Sequence, residues 1–326
     1  MQSPDEWEIP PEFQPDPRLL DYDLKNALSA VVSLRARVPE DAFTAETLGI
    51  ERAGQGVVIR DDGLVLTIGY LIAEAEDVWL TTNRGRVVQA HVIAYDYESG
   101  FGLVQALEPL GVPVLALGDS RRLKPGEQVV VGGSGGQIHS LAAQVVACQE
   151  FAGYWEYLID GAVFTAPAHP NWGGTALIGP RGDLMGIGSL QLQHQASGGT
   201  IVPLNMSVPI DLLKPILDDL LTSGRVKREP RPWLGFYVAE ADDDELTIIG
   251  LAGDAPAQRA GLRAGDQIHA VAEQSVTSLA EFYRAIWALG PAGVDVPFTI
   301  EREGDRFDVT IRSADRGRFM KTPRLQ

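Results

Sequence analysis

The chain has 326 residues, of which 45% are hydrophobic and 22% are charged, as in an ordinary soluble globular protein with two or three domains. Its formal net charge of −17 disfavours nucleic acid and anionic membranes as partners and favours a protein partner that is neutral or basic. The single cysteine, Cys148, excludes an internal disulfide and a cysteine-rich zinc site. The sequence contains no run of 18 apolar residues, so it predicts no membrane-spanning helix.

Residues 1–18 are rich in proline and acidic residues, which predicts an extended arm rather than a helix. Trp7 and Phe13 interrupt this arm, and such aromatic residues either dangle or dock on a neighbouring surface. The first 20 residues lack the apolar core of a secretory signal, so we expect a cytoplasmic protein. A periplasmic location is the alternative if a leader has been removed.

Residues 19–222 are predicted to form one domain. Short β-rich runs separated by glycine or charged turns continue to about Pro209, a pattern typical of paired β-barrels. An apolar stripe over 211–221 predicts the helix that closes this domain. Residues 223–232 are a polar linker, 233–313 a second domain, and 314–326 a basic tail.

Three segments of the first domain carry a family resemblance. Glycine-rich runs over 54–59 and 63–67 lead into Tyr70, a second segment spans 96–104, and a third spans 171–177. These motifs resemble the Do-like (HtrA) serine proteases over residues 25–315. The resemblance implies a mostly β fold, a trypsin-like double β-barrel followed by a PDZ domain.

In that family the three segments hold the histidine, aspartate and serine of a catalytic triad. Here the histidine position holds Tyr70 and the aspartate position holds Gly100; the serine position holds Trp172 by residue matching, or Gly173 by counting back from the next strand. A phenol with an ordinary pKa near 10 is a poor proton acceptor at neutral pH, and indole and glycine offer no nucleophile. The sequence therefore predicts a degenerate triad and a catalytically inactive member.

The predicted oxyanion hole depends on which residue takes the serine position. With Trp172 there, the second donor would be Pro170, which has no N–H; with Gly173 there, the donor would be Asn171 and the hole could survive. The predicted remnant of the cleft also includes His169, Gly174, Thr175 and Ser189.

Two other functions remain open for this cleft. One is an active serine-protease-like endopeptidase with a non-standard nucleophile, such as Thr175 assisted by His169. The other is a metal or small-molecule site, with His169 and His194 as ligands. In the leading hypothesis we expect neither a cofactor nor a metal.

The second domain resembles the PDZ domain of the same family through the triplets 255–257, 260–262 and 264–266, which precede a predicted strand over 267–271. In a PDZ domain, a peptide C-terminus adds as a strand and successive backbone N–H groups hold its carboxylate. The resemblance assigns the following residues to peptide binding: Trp233, Leu234, Gly235 and Phe236 in the loop, and Phe282 and Ile286 on a helix over 279–289. The alternative is a PDZ domain with an occluded groove.

These observations lead to one functional prediction. The chain is predicted to be non-catalytic, to bind polypeptides or protein C-termini through its PDZ domain, and to act as an adaptor, chaperone-like or assembly factor. In the resembled family the N-terminal segment makes trimer contacts, so a homotrimer is a further hypothesis.

Overall fold

A computed structural model describes residues 7–195, 199–241 and 245–321, and it is mostly β, as predicted. The chain divides into two compact units. The first contains the described residues up to 149 and those from 161 to 226, and the second contains 150–160 and 227–321. The predicted domain boundaries placed residues 150–160 within the barrel domain, whereas the structure groups them with the second unit. None of the helices in the described ranges is long and apolar enough to span a membrane.

The first unit contains two closed six-stranded antiparallel barrels. In the first barrel the strands neighbour one another in the order β1-β2-β3-β6-β5-β4. Its strands are β1 Val31–Arg37, β2 Glu51–Val58, β3 Leu64–Ile68, β4 Asp77–Thr81, β5 Val87–Tyr95 and β6 Phe101–Ala106. Strand β5 shows why these residues form a barrel wall, because alternate residues from Val88 to Ala94 are buried while those between are more exposed.

The second barrel has the strand order β10-β11-β12-β9-β8-β7. Its strands are β7 Gln128–Gly132, β8 Leu141–Gly153, β9 Tyr157–Ala166, β10 Ala176–Ile178, β11 Leu184–Gln195 and β12 Ile201–Pro209. The register of β11 against β12 shifts between Gly188 and Leu190, so Ser189 lies in a bulge beside the remnant cleft.

The helices of the first unit are short. They are α1 Leu24–Ser29, α2 Ala45–Leu48 and α3 Leu217–Ser223. The prediction of one helix over 211–221 is wrong in its extent, because the chain forms a 3₁₀ turn at Ile210–Leu212 and α3 begins only at Leu217. Pro215 explains the break, since proline lacks an N–H and its ring clashes with a helical residue four positions earlier.

The second unit contains a six-stranded sheet, in which β13-β14-β15-β17-β18 are neighbours and β16 pairs with β15. The strands are β13 Phe236–Glu240, β14 Leu246–Leu251, β15 Gln267–Val271, β16 Gln274–Ser275, β17 Asp295–Arg302 and β18 Asp305–Arg312. Its helices are α4 Pro256–Arg259 and α5 Leu279–Trp287. The Ser278 hydroxyl caps α5 by accepting from the Glu281 N–H, which satisfies one donor of its first turn.

The predicted basic tail begins as part of the second unit. Ala314 pairs with Trp233, and a 3₁₀ turn at Arg316–Phe319 places the Phe319 ring 4.8 Å from the Trp233 ring. Residues 322–326, at the end of the predicted tail, lie outside the described residues.

Candidate functional site

Tyr70 sits in a buried turn directly after β3. The turn is a 3₁₀ turn at Gly69–Leu71, and the Gly69 N–H donates to the carbonyl of Gly100 at 2.7 Å. Arg52, which is only 5% exposed, donates from Nη1 to the Tyr70 carbonyl at 2.8 Å and to the Ala73 carbonyl at 3.0 Å. The backbone that carries the phenol is therefore fixed by hydrogen bonds on both sides.

The Tyr70 hydroxyl acts as a hydrogen-bond donor in this structure. It donates to the carbonyl of Ser189 at 2.9 Å. Burial raises the pKa of the phenol well above its usual value, and a hydrogen bond with the Trp172 side chain opposes that shift. A neutral, donating phenol cannot take a proton from a nucleophile.

Gly100 contributes backbone geometry to the site. Its φ is 81°, in the left-handed region that favours glycine, and its N–H donates to the Asp96 carbonyl. An aspartate here would adopt a strained backbone.

Neither candidate for the serine position provides a hydroxyl or room for one beside Tyr70. Trp172 is half-buried, and its carbonyl accepts from the Thr175 N–H at 3.1 Å. A Cβ added to Gly173 would lie 2.8 Å from the Tyr70 hydroxyl oxygen, closer than real Cβ contacts allow. The phenol therefore fills the space that a side chain at Gly173 would need.

Gln55, in β2, holds this loop in place and was not among the predicted site residues. Its N–H donates to the Gly173 carbonyl at 2.9 Å, its Nε2 donates to the Asn171 carbonyl at 2.6 Å, and its Oε1 accepts from Ser134 N–H at 2.8 Å. The signal in the sequence was a glutamine between two glycines, Gly54 and Gly56, at the start of an apolar run.

Gly174 allows the loop to approach β2 closely. Its φ is 81°, and an added Cβ would meet the Gln55 carbonyl. Pro170 lies in the same loop, directly before Asn171, and offers no N–H.

His169 is buried, and both of its ring nitrogens have backbone partners. Nδ1 accepts from the Asn171 N–H at 3.1 Å, which places the proton of the neutral ring on Nε2, 2.9 Å from the His139 carbonyl. Burial lowers the pKa of this imidazole, so the neutral form is favoured. The Asn171 N–H, a candidate oxyanion donor, is thus engaged by the ring of His169.

Thr175 is buried, and its hydroxyl also has a backbone partner. It donates to the Trp172 carbonyl at 2.9 Å. The structure therefore brings His169 and Thr175 into one loop but engages each with the backbone rather than with the other.

The N-terminal arm docks beside this loop. The Trp7 ring lies 4.7 Å from the ring of His139 and 5.4 Å from that of His169. Ile9 is buried and donates its N–H to the Ile138 carbonyl at 2.8 Å. The arm is not wholly extended, because prolines start 3₁₀ turns at Pro11–Phe13 and Pro17–Leu19.

His194 lies apart from this loop, in the exposed end of β11 opposite Val202. Within the described ranges no group of three or more His, Cys, Asp or Glu side chains is placed to hold a metal ion.

In the second unit, the loop predicted to bind a carboxylate turns at Gly235. Gly235 has a φ of 77°, while Leu234 and Phe236 point into the core and are at most 1% exposed. The Leu234 and Gly235 N–H groups donate to the carboxylate of Glu156 at 3.2 Å and 2.8 Å. The sequence offered no signal for Glu156, which lies in the tip between β8 and β9.

Phe282 and Ile286 lie on α5 and are fully buried. The Phe282 ring packs 5.5 Å from that of Phe236, so both side chains belong to the core of the second unit. Their predicted contact with a ligand side chain stays a prediction.

Comparison with known proteins finds two family models that each match part of the chain. Residues 54–187 match the trypsin-like peptidase domain, and residues 232–312 match the PDZ domain. The chain is 27% identical over 274 residues to a probable periplasmic serine endoprotease DegP-like of Halomonas elongata, covering 80% of this chain and 56% of the relative. A relative of the same name in Hahella chejuensis is 26% identical over 85% of this chain and 58% of its own length. The chain thus spans little more than half of these relatives.

Solved structures have the same fold. The HtrA-type protease AlgW with tripeptide aligns with a TM-score of 0.51 and 18% identity over 90% of this chain and 97% of that one. The serine endoprotease from Yersinia pestis aligns with a TM-score of 0.51 and 21% identity over 91% of this chain and 99% of that one.

The comparisons overturn the expected cytoplasmic location, because the similar curated proteins are named periplasmic. In its architecture the chain is HtrA-like, with a trypsin-like peptidase domain followed by a C-terminal PDZ domain.

Proposed function

We propose that this chain is a non-catalytic HtrA-like protein that binds polypeptide C-termini through its PDZ domain, as an adaptor, chaperone-like or assembly factor. The observation that carries the proposal is the position of Tyr70, whose buried hydroxyl donates to the Ser189 carbonyl where a general base is needed. The names of the relatives favour a periplasmic location for this role. The homotrimer implied by the resemblance remains part of the proposal.

The loss of transition-state stabilisation supports the proposed lack of peptide hydrolysis. A single oxyanion donor contributes about 2.7–4 kcal/mol to the transition state, and the Asn171 N–H is already engaged by His169. Without a base, an activated hydroxyl and this donor, the cleft lacks the groups that lower the barrier to peptide hydrolysis.

An active endopeptidase is the second candidate, because the curated relatives are named serine endoproteases. In this chain that activity would require the Thr175 hydroxyl to leave the Trp172 carbonyl and the His169 ring to turn towards it.

The peptide-binding part is tested by fluorescence anisotropy with a labelled ten-residue peptide that ends in an apolar residue. The full chain is expected to bind the free acid at least about tenfold more tightly than the C-terminal amide, because the loop N–H groups recognise a carboxylate. Equal binding of the two peptides would contradict the proposal.

A further inference from the structure

The carboxylate-binding loop of the PDZ domain is occupied by a side chain of the same chain. The Gly235 N–H donates to Glu156 Oε1 at 2.8 Å, and the Leu234 N–H lies 3.2 Å from Oε1 and 3.3 Å from Oε2. Successive backbone N–H groups are the device by which such loops hold the terminal carboxylate of a peptide. Glu156 belongs to the same compact unit as the loop.

The residues before Glu156 follow the path of an added strand. The Val238 N–H of β13 donates to the Tyr154 carbonyl at 2.9 Å, and β14 occupies the other edge of β13. Tyr154 lies beside Val238 and Glu156 beside Gly235, so this segment runs antiparallel to β13 with its carboxylate at the loop. A bound peptide C-terminus takes the same direction and uses the same backbone donors.

Helix α5 holds the segment from the other side of the groove. The Tyr283 hydroxyl donates to the Gly153 carbonyl at 2.7 Å and accepts from the Glu156 N–H at 3.2 Å. Arg284, on the same helix, forms an ion pair with Glu150. The tip, residues 153–156, therefore makes contacts with the loop, with β13 and with α5.

Residues 153–156 are an internal segment and have no terminal carboxylate, so a side chain must provide the carboxylate. The backbone conformation of Glu156 allows its side chain to do so. Its φ is 60°, which turns the chain away from the loop and into β9 at Tyr157. A non-glycine residue in this region has a strained backbone. The contacts of the Glu156 carboxylate and N–H offset this strain.

We propose that Glu156 is an internal substitute for the C-terminal carboxylate of a ligand, so that the tip closes the peptide groove until a polypeptide partner displaces it. This inference rests on the proposed peptide-binding function and adds its regulation. A partner then binds with an affinity reduced by the fraction of molecules whose groove is open.

The test compares Glu156→Gly with Glu303→Gly in the anisotropy assay. Both variants remove one carboxylate from the second unit and place glycine at a left-handed position, since Glu303 has a φ of 53° and lies exposed between β17 and β18. Glu156→Gly is expected to bind the free-acid peptide at least about tenfold more tightly than the wild type. Glu303→Gly should stay within about twofold of the wild type.

Titration of Glu156 provides a second readout. Burial raises the pKa of Glu156 from 4.5 to about 7, and the Gly235 N–H, the charge of Arg316 and the Leu234 N–H oppose this shift. Arg316 stays charged in this range, and burial raises the pKa of Tyr283, which stays neutral. The closed form therefore holds its proton more tightly than the open form, and rising pH between 4.5 and 7 favours opening. Wild-type peptide affinity should rise over this window, whereas that of Glu156→Gln should change little.

The outcomes separate the two proposals. Suppose that both proteins prefer the free acid to the amide, but the wild type and Glu156→Gly bind the acid with equal affinity. This result would support peptide binding and overturn the closed groove. Failure of both proteins to bind either peptide would overturn peptide binding, and the closed groove with it. Hydrogen exchange supplies the fold control, because Glu156→Gly should speed exchange at the Val238 amide while the amides of β17 stay protected.

Discussion

Gly235→Ala is expected to remove peptide binding and to destabilise the second unit by about 2–5 kcal/mol, the sum of a left-handed backbone and an overpacked site. Gly235 has a φ of 77°, and an added Cβ would overlap the Cβ of Ala255 and lie 2.9 Å from the Trp233 ring. In the Glu156→Gly background, where the groove is expected to be open, peptide affinity should fall at least about thirtyfold, the equivalent of 2 kcal/mol. Anisotropy and urea unfolding measure the two effects.

Gly253→Ala is the matched control for this change. Gly253 lies just after β14, and an added Cβ there meets nothing within 4 Å. Its affinity and unfolding midpoint should stay close to those of the parent. Equal behaviour of the two alanine variants would contradict the role given to Gly235.

Glu74→Ala is expected to destabilise the first unit by about 3–5 kcal/mol, because it leaves a buried charge without compensation. Glu74 is 2% exposed, and its carboxylate accepts from the N–H and hydroxyl of Thr44 at 2.7 Å and 2.6 Å. Burial lowers the pKa of nearby Arg52, while the charge of Glu74 opposes that shift. Arg52 in turn holds the Tyr70 carbonyl.

Urea unfolding followed by circular dichroism measures this loss. Glu51→Ala is the control, since Glu51 lies on the same barrel, its side chain is 76% exposed, and it is 3.9 Å from Arg37. That change should alter the free energy of unfolding by no more than about 0.5 kcal/mol. A similar small change for Glu74→Ala would show that this buried carboxylate does not support the Tyr70 turn.

The local sequence pattern was sufficient to predict much of the fold. The strand over 267–271 has the predicted bounds, because an apolar run follows a glycine turn and nothing at longer range competes with it. The helix over 211–221 failed because an apolar stripe was given more weight than Pro215.

The site was harder to predict, because its contacts join distant parts of the chain. Glu156 and Gly235 are 79 positions apart, and Gln55 and Asn171 are 116 apart. No local pattern marks either pair. His169 and Thr175 show the converse: the sequence left them open as a nucleophile and its assisting base, and the backbone partners of both side chains were invisible in the sequence.

The most direct test of the non-catalytic assignment is labelling with a fluorophosphonate probe, together with hydrolysis of unfolded casein, by the purified wild-type chain and by Thr175→Ala. With trypsin as the positive control, both proteins should show no labelling above the heat-denatured sample and no turnover that scales with protein concentration. Stoichiometric labelling or casein cleavage by the wild type that Thr175→Ala loses would contradict the assignment and identify Thr175 as a working nucleophile.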